Sequence, residues 1–212
     1  MPQVDKKHYF VKKYDDLNRF ISYFYQIDLT TGLNPKNVLE LGKGNGTFSD
    51  YLKKLGGLVT TCDFDKNLNP DVVADVRNLP FRDGEFETVT AFEILEHIPF
   101  EDLPKALSEL KRVSSRYIVL SLPYKSSGWE VALRFPGVRT LFKKSFLDFF
   151  VRMPLKFGGI KVSGQHYWEI DAWKYSLSKV RRVLKQYFTV LKEVRPVLNH
   201  YHYFFVLEKL SK

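Results

Sequence analysis

A short apolar run followed by three closely spaced glycines is the feature that most constrains the fold of this chain. Residues 37–41 (NVLEL) have the composition of a buried strand. Three glycines follow the run at alternate positions: Gly42, Gly44 and Gly46. Glycines at the end of a strand allow a tight turn and let a ligand approach the main chain closely. Residues 47–55 then have helical character, so the unit predicts an α/β fold with a ligand site at the glycine loop.

Strand-like and helix-like segments alternate in the rest of the chain. Further β-prone runs lie at residues 58–62, 72–74, 86–92 and 117–122. A helical period covers residues 103–113, before the last of these runs. Alternation of this kind predicts a mostly parallel sheet with helices on both faces.

The end of the chain departs from this alternation. Two further strands are predicted at residues 189–194 and 203–208, and only residues 195–202 separate them. A parallel crossover needs about a dozen residues or more. We therefore expect the last strand to run antiparallel to its neighbour.

Three more helices are expected from apolar periodicity. The first covers residues 14–28 and packs on the domain through one apolar face: Leu17, Phe20, Ile21, Phe24 and Tyr25. The second covers residues 138–153 and is amphipathic through five residues: Leu141, Phe142, Phe146, Phe149 and Phe150. The third covers residues 172–187.

Composition limits the class of protein. The chain has 212 residues, with 33 Lys and Arg against 24 Asp and Glu, a net charge of +9 that favours acidic partners or simply a basic surface. The single cysteine, Cys62, excludes an internal disulfide and a cysteine-based zinc cluster, and we expect no metal site. The polar N-terminus has no signal-peptide core. These features favour a soluble cytoplasmic protein.

The glycine spacing bears on the kind of ligand. A dinucleotide fingerprint requires G-x-G-x-x-G, whereas this loop offers G-x-G-x-G with Glu40 before it. A pyrophosphate site favours bare amides, but a carboxylate suits a ligand with a positive amino group. The alternative is a tight strand–helix turn without a ligand.

Four segments of the chain resemble motifs of a known family. Residues 38–46 (VLELGKGNG) resemble motif I of the class I methyltransferases, which bind S-adenosylmethionine, and in particular their type 11 branch. Three later segments resemble further motifs of that family in the same order: residues 62–65 (CDFD), 74–81 (ADVRNLPF) and 86–99 (FETVTAFEILEHIP). The match covers residues 37–124. It implies a Rossmann-like fold with a seven-stranded, mostly parallel sheet whose last strand is antiparallel.

The resemblance also implies a set of cofactor-binding residues. Asp63 would accept hydrogen bonds from the two ribose hydroxyls, with Asp65 as a competitor or as a cap of the next turn. Asp75 would accept from the adenine amino group, or act as a simple turn residue, and the Val76 amide would donate to a ring nitrogen. The residues implied at the methionine and ribose portions are Glu40, Gly42, Gly44 and Glu93.

Two histidines are candidate catalytic bases, and the catalytic residue itself stays unassigned. His97 follows the fourth strand, and an imidazole titrates near neutral pH. A role in orienting its loop is the alternative. His166 lies in the segment 164–169 (GQHYWE), where a His, a Tyr and a Glu together suit the positioning or deprotonation of a nucleophile. A loop anchored by aromatic burial is the alternative there.

A long insertion at residues 125–170 is rich in Gly, Pro, aromatic and basic residues. Its basic residues alternate with Phe and Leu, at Lys143, Lys144, Arg152, Lys156 and Lys161. We expect it to pack on the domain through its apolar face, with its charges solvated, and to cap a substrate. Contact with an anionic membrane surface and contact with nucleic acid are alternatives, although no RNA-binding motif supports the second.

The sequence thus predicts one domain over residues 1–212, with an N-terminal helical extension at 1–35 and an inserted cap or substrate region at 125–170. The resemblance implies methyl transfer from S-adenosylmethionine to a small, amphipathic or lipid-like acceptor. Two rival interpretations are a non-catalytic methyltransferase-like domain and an NAD-type oxidoreductase, and the glycine spacing disfavours the latter.

Overall fold

The computed structural model describes residues 6–125, 128–142, 147–152, 165–172 and 174–210. Within them the strands are β1 (Asn37–Leu41), β2 (Leu58–Asp63), β3 (Val72–Val73), β4 (Phe86–Phe92), β5 (Ser114–Pro123), β6 (Gly128–Leu133), β7 (Leu147–Arg152), β8 (Phe188–Val194) and β9 (His202–Lys209). The helices are α1 (Leu17–Thr31), α2 (Thr47–Lys54), α3 (Leu103–Val113), α4 (Val138–Phe142) and α5 (Leu177–Leu184). Short 3-10 helices lie at Lys6–Phe10, Lys66–Leu68, Leu95–His97 and Phe100–Asp102.

Seven strands form one sheet in the order β3-β2-β1-β4-β5-β9-β8. The five strands from β3 to β5 are parallel to one another. Strand β9 lies between β5 and β8 and is antiparallel to both. The predicted Rossmann-like fold and its antiparallel last strand are confirmed. Successive strands are added toward one edge of the sheet from β1 to β3 and toward the other edge from β4 onward, and such a switch point between β1 and β4 opens a crevice beyond the strand ends.

Alternating side chains of β1 pack on the two faces of the sheet. Leu39 and Leu41 join the apolar core that contains Leu107 and Leu110 of α3. Val38 joins a smaller core with Phe48 of α2. Glu40 therefore points to the same side as Val38, toward α1 and α2, and this polar side chain lies inside a core face.

Helix α1 forms near the predicted position but buries a different face. Its N-cap Asp16 accepts a hydrogen bond from the Arg19 amide at 2.8 Å. The predicted inward face is wrong, because Leu17, Phe20 and Phe24 are exposed. The helix instead buries five other residues: Ser22, Tyr23, Gln26, Leu29 and Thr30. Ser22 anchors it to β9, since its hydroxyl is 2.7 Å from Nδ1 of His202.

The expectation of a helix over residues 138–153 is wrong. Helix α4 ends at Phe142, and residues 147–152 form β7, an antiparallel partner of β6 with Val131 opposite Phe149. Two neighbouring β-prone strands can pair locally in this way, and pairing satisfies the main-chain groups that a short exposed helix leaves open. Lys143, Lys144, Lys156 and Lys161 lie outside the described residues.

The last predicted helix is shorter than expected. Residues 174–175 form a turn, in which the Tyr175 amide donates to the Ala172 carbonyl at 3.1 Å, and Ser176 then caps α5 through the Lys179 amide. The N-cap serine explains why the helix begins at Leu177. No helix within the described ranges is long and apolar enough to span a bilayer.

Candidate functional site

A cavity of about 460 Å³ lies beyond the carboxyl ends of β1, β2 and β4. Its walls come from the glycine loop, from the segments after β2, β3 and β4, from the N-terminal segment and from Gln165 and Tyr167. Among the predicted cofactor residues, those that line it are Gly42, Gly44, Asp63, Asp75, Val76 and Glu93. The sequence motifs therefore meet at one place in the fold, at the switch point of the sheet.

Gly42 allows the close approach of two segments at the floor of the cavity. Its φ is +79°, and a Cβ atom there would lie 2.3 Å from Cγ2 of Ile94. Its amide donates to the Cys62 carbonyl at 2.8 Å, which ties the loop to the end of β2. Both the backbone conformation and the space exclude a side chain at this position.

Glu40 is buried beneath the glycine loop and does not itself line the cavity. Burial raises the pKa of its carboxyl to about 8, although the Ser49 hydroxyl and the Lys43 ammonium oppose the shift. Its Oε2 atom has no hydrogen-bond partner among the described residues. A proton or a cation bound to such a buried carboxyl lowers the free-energy cost of its burial.

The two aspartates after β2 have different surroundings. Asp63 is buried, and burial raises the pKa of its carboxyl while the amides of Asp65, Lys43 and Gly44 lower it. Asp65 uses its Oδ1 atom as a cap, because that atom accepts from the Asn67 amide at 2.9 Å and from Asn67 Nδ2 at 2.8 Å. Asp63 thus has the carboxylate that is better placed to receive a ligand hydroxyl, and Asp65 acts as the predicted turn cap.

Asp75 and Val76 line the cavity from the segment that follows β3. Both Asp75 oxygens accept hydrogen bonds from the Arg77 guanidinium, at 2.9 and 2.6 Å. This pairing holds the pKa of the Asp75 carboxyl below its usual range. The ion pair keeps Asp75 in place as an ionised acceptor, but it also occupies part of its capacity to accept from a ligand.

Glu93 follows β4 in a left-handed conformation, with φ of +52°. Burial raises the pKa of its carboxyl to about 8. Its Oε2 atom lies 3.5 Å from Nε2 of His202, and its Oε1 atom has no hydrogen-bond partner among the described residues. Left-handed non-glycine residues are uncommon outside positions that the surrounding structure fixes, and they concentrate at functional sites.

The two candidate bases lie side by side. The rings of His97 and His166 meet edge to face, with centroids 4.8 Å apart. His97 lines the cavity, and burial, assisted by His166, lowers the pKa of its imidazole to about 4. Nδ1 of His166 is 2.7 Å from Oε1 of the buried Glu169. A neutral His97 at the cavity wall can accept a proton, and His166 is held by a carboxylate.

The sequence patterns missed part of the cavity wall. Tyr9 and Tyr14 line it from the N-terminal segment, with ring centroids 5.3 Å apart, and the Arg19 guanidinium lies 4.5 Å from the Tyr14 ring centroid. The crowding of aromatic residues near the N-terminus was the only sequence signal for them. Tyr167 completes the wall from the described end of the insertion.

Known proteins resemble the chain in this region. A family model described as a methyltransferase domain matches residues 39–116. A demethylmenaquinone methyltransferase of Thermotoga maritima is 31% identical over 134 residues, which are 52% of this chain and 57% of that protein. A ubiquinone biosynthesis O-methyltransferase of Pseudomonas aeruginosa is 32% identical over 88 residues, 34% of this chain and 38% of that protein. The chain thus spans less than two thirds of the length of either relative.

Likeness to solved structures extends over the whole fold. The crystal structure of a SAM-dependent methyltransferase from Aquifex aeolicus aligns with a TM-score of 0.61, over 98% of this chain and 100% of that one, at 18% sequence identity. At that identity the alignment shows a shared fold and no more.

Proposed function

We propose that this chain, which belongs to the class I S-adenosylmethionine-dependent methyltransferases, transfers the methyl group of that cofactor to a small amphipathic acceptor with an aromatic ring. The observation that carries the proposal is the cavity at the sheet's switch point, where the side-chain-free floor at Gly42 meets the buried carboxylate of Asp63.

The residues around the cavity fit the charge of S-adenosylmethionine. The cofactor carries a positive sulfonium and a positive amino group, and when bound it supplies an electrophilic methyl group. Oε2 of Glu40 and Oε1 of Glu93 are buried without hydrogen-bond partners in the described structure. Unpartnered buried carboxyl oxygens are costly unless a donor or a cation reaches them. When they are ionised, the same carboxyls would repel the pyrophosphate of NAD, which disfavours the oxidoreductase alternative.

Each of these residues would contact one part of the cofactor. Asp63 would accept from the ribose hydroxyls, and the Val76 amide with Asp75 would border the adenine. Glu93 would hold the amino end of the methionine portion from the cavity wall, and Glu40, buried beneath the glycine loop, would act on it through a water molecule. Gly42 packs directly against Ile94, so the floor of the cavity is main chain at this position and carries no side chain.

The acceptor side of the cavity has the chemistry of a site for a flat, partly apolar molecule. Tyr9, Tyr14 and Tyr167 present aromatic rings to the cavity, and Arg19 adds one positive charge beside them. Tyrosine combines a large apolar surface with a hydroxyl that can orient a polar group. The names of both curated relatives place them in quinone metabolism, and a hydroxylated ring with an apolar tail would fit the same surroundings.

Residues of the chain also account for the remaining requirements of methyl transfer. The nucleophile must lie in line with the methyl group, about 3 Å from its carbon, and water must be excluded. His97 at the cavity wall can take a proton from a hydroxyl acceptor, because burial keeps its imidazole neutral. Residues 165–167, at the end of the insertion, cover one side of the cavity, which supports a substrate role for the region 125–170.

The test begins with titration calorimetry of the purified chain against S-adenosylmethionine, S-adenosylhomocysteine and NAD. We expect the two adenosyl ligands to bind and NAD not to bind. Transfer from methyl-labelled cofactor is then measured on a hydroxylated quinol with a short isoprenoid tail and on the same ring without the tail. Binding of NAD alone would overturn the proposal, and cofactor binding without transfer to any acceptor would favour the non-catalytic alternative.

A pair of tyrosine variants tests the acceptor wall separately. Tyr167→Ala should raise KM for the acceptor severalfold while the affinity for S-adenosylhomocysteine stays within twofold of the parent, because Tyr167 belongs to the wall and not to the glycine loop. Tyr51→Ala is the matched control, since this exposed tyrosine lies on α2 outside the cavity. An equal effect of both substitutions would contradict the assignment of the wall.

A further inference from the structure

Two imidazoles and one carboxylate converge beside the cofactor cavity. Oε1 of Glu96 lies 3.9 Å from Nε2 of His97 and 3.9 Å from Nε2 of His166. One ligand atom from each of the three side chains lies within 4.8 Å of the others. Two imidazole nitrogens and a carboxylate oxygen are a donor set that first-row transition metals accept.

Glu96 is the most unusual member of this cluster. It is fully buried, and neither of its carboxyl oxygens has a hydrogen-bond partner among the described residues. A buried carboxyl without donors calls for an explanation, and a bound cation is one that satisfies both oxygens. The ring nitrogens of His97 and His166 both lie within 4 Å of its Oε1 atom.

The outer hydrogen bonds turn both imidazoles toward Glu96. Nδ1 of His166 is 2.7 Å from Oε1 of Glu169, and Nδ1 of His97 is 3.3 Å from the carbonyl oxygen of Gln165. Each Nδ1 that donates to such an acceptor leaves the lone pair on Nε2, the atom that faces Glu96. Glu169 is itself held by the Tyr201 hydroxyl at 3.0 Å. This carboxylate–histidine arrangement is the usual support of a metal-binding imidazole.

We propose that Glu96, His97 and His166 bind one divalent transition-metal ion at the edge of the cofactor cavity. Ligands about 2.1 Å from a tetrahedral ion lie about 3.4 Å apart, so small side-chain rotations would bring the three atoms to bonding distance. A main-chain hydrogen bond already holds the two segments of the cluster side by side, because the Tyr167 amide donates to the Glu96 carbonyl at 2.8 Å. The expectation that this chain has no metal site is thereby revised.

Three protein ligands leave at least one coordination position open. Because His97 lines the cavity, that position would be reached from the cavity. An oxygen of the acceptor is the ligand that fits it, and coordination lowers the pKa of a bound hydroxyl. This last step rests on the proposed function and assigns the acceptor to molecules with a hydroxyl group. In it His97 is a metal ligand and no longer the group that takes the proton of the acceptor. The metal site itself does not depend on it.

The experiment uses the full chain without an affinity tag, stripped with chelator and desalted. Titration with Co²⁺ is followed by calorimetry and by its visible d–d absorption, which reports imidazole and carboxylate coordination, and Zn²⁺ and Mn²⁺ are titrated in parallel. We expect one equivalent of Co²⁺ to bind. Glu96→Gln and His166→Gln should weaken binding about 100-fold or more, and Glu169→Gln about 10- to 100-fold. His200→Gln, outside the cluster, should bind as the parent does.

Each variant is also tested for thermal unfolding and for binding of S-adenosylhomocysteine, so that loss of metal is separated from loss of fold. A stripped parent chain that binds the adenosyl ligand but none of the three metals would overturn the metal site and leave the proposed function standing. Metal binding without adenosyl-ligand binding would overturn the proposed function and leave the metal site standing. Equal Co²⁺ affinity in the parent, Glu96→Gln and His166→Gln would also overturn the metal site.

Discussion

The main-chain N–H of Asp65 donates to Oδ1 of Asp63 at 2.9 Å, and this bond fixes one carboxylate at the cavity while the other caps a turn. Asp63→Ala should therefore weaken S-adenosylhomocysteine binding more than tenfold, because the ribose hydroxyls lose their acceptor. Asp65→Asn keeps a capping oxygen and should change the affinity by less than threefold. Calorimetry gives both affinities, and circular dichroism shows whether each variant is folded. A larger loss in Asp65→Asn than in Asp63→Ala would reverse the assignment.

The glycine loop offers a test that separates backbone strain from steric conflict. Gly42 and Gly56 have similar φ values, +79° and +86°, but a Cβ at Gly42 would meet Ile94 at 2.3 Å, whereas nothing lies within 4 Å of a Cβ at Gly56. Gly56→Ala should cost roughly 1–2 kcal/mol of unfolding free energy from the left-handed backbone alone and leave cofactor binding intact. Gly42→Ala should cost more and abolish measurable binding. Urea unfolding with calorimetry distinguishes the two, and equal stability losses would argue against the close contact with Ile94.

Arg112 clamps the segment that follows the adenine edge. Its guanidinium donates to Glu109 at 2.7 and 2.8 Å and to the carbonyls of Leu79 and Phe81 at 2.8 and 2.7 Å. These bonds hold the pKa of the Glu109 carboxyl below its ordinary value of 4.5. A carboxyl with a lowered folded pKa contributes stability above its unfolded pKa and loses it as pH falls through the folded value.

Glu109→Gln should therefore lower the unfolding free energy by about 2 kcal/mol at pH 7 and by progressively less as pH falls below about 4.5. The readout is urea unfolding between pH 3 and 7. Glu208→Gln is the control, because Glu208 pairs with Arg116 at 3.5 Å on the surface, where such pairs contribute little. A pH-independent difference between Glu109→Gln and the parent would show that the pair with Arg112 is not the source of the stability.

Sequence patterns correctly predicted those elements in which the apolar residues that set the periodicity are also the residues that become buried. Residues 103–113 were predicted as a helix and form α3, whose side chains Leu103, Leu107 and Leu110 are all buried on one face. Helix α1 shows the limit of this reasoning. Its apolar residues do recur with a helical period. The face that packs on the sheet is nevertheless the one with Ser22, which contacts His202, 180 positions away in the sequence. Hydrophobic period alone cannot show such a contact.

The candidate site likewise has a part that the sequence predicted and a part that it did not. The glycine loop and Asp63 were predictable because short motifs place them at the ends of adjacent parallel strands. The N-terminal aromatic wall was not, since its place depends on how residues 6–16 return across the strand ends. The cluster of Glu96, His97 and His166 was hidden for the same reason: two of its members are neighbours in sequence, and the third arrives from the end of the insertion. Only the tertiary fold brings them together.

The raised pKa of Glu40 predicts how cofactor binding depends on pH. Burial places this pKa at about 8, so the free protein holds a neutral carboxyl near pH 6, whereas an ammonium ligand is best held by the ionised form. Affinity for S-adenosylhomocysteine should rise up to tenfold per pH unit between pH 6 and 8 and then level off. The raised pKa also implies that the unfolding free energy of the free protein falls as pH rises from about 4.5 to 8, because the folded state retains a proton that the unfolded state loses. Glu40→Gln should reduce both dependences and leave the part that comes from Glu93, whose carboxyl has a similarly raised pKa, as measured by calorimetry and urea unfolding across this range. The same slope in both proteins would show that another group, and not Glu40, receives the amino end of the ligand.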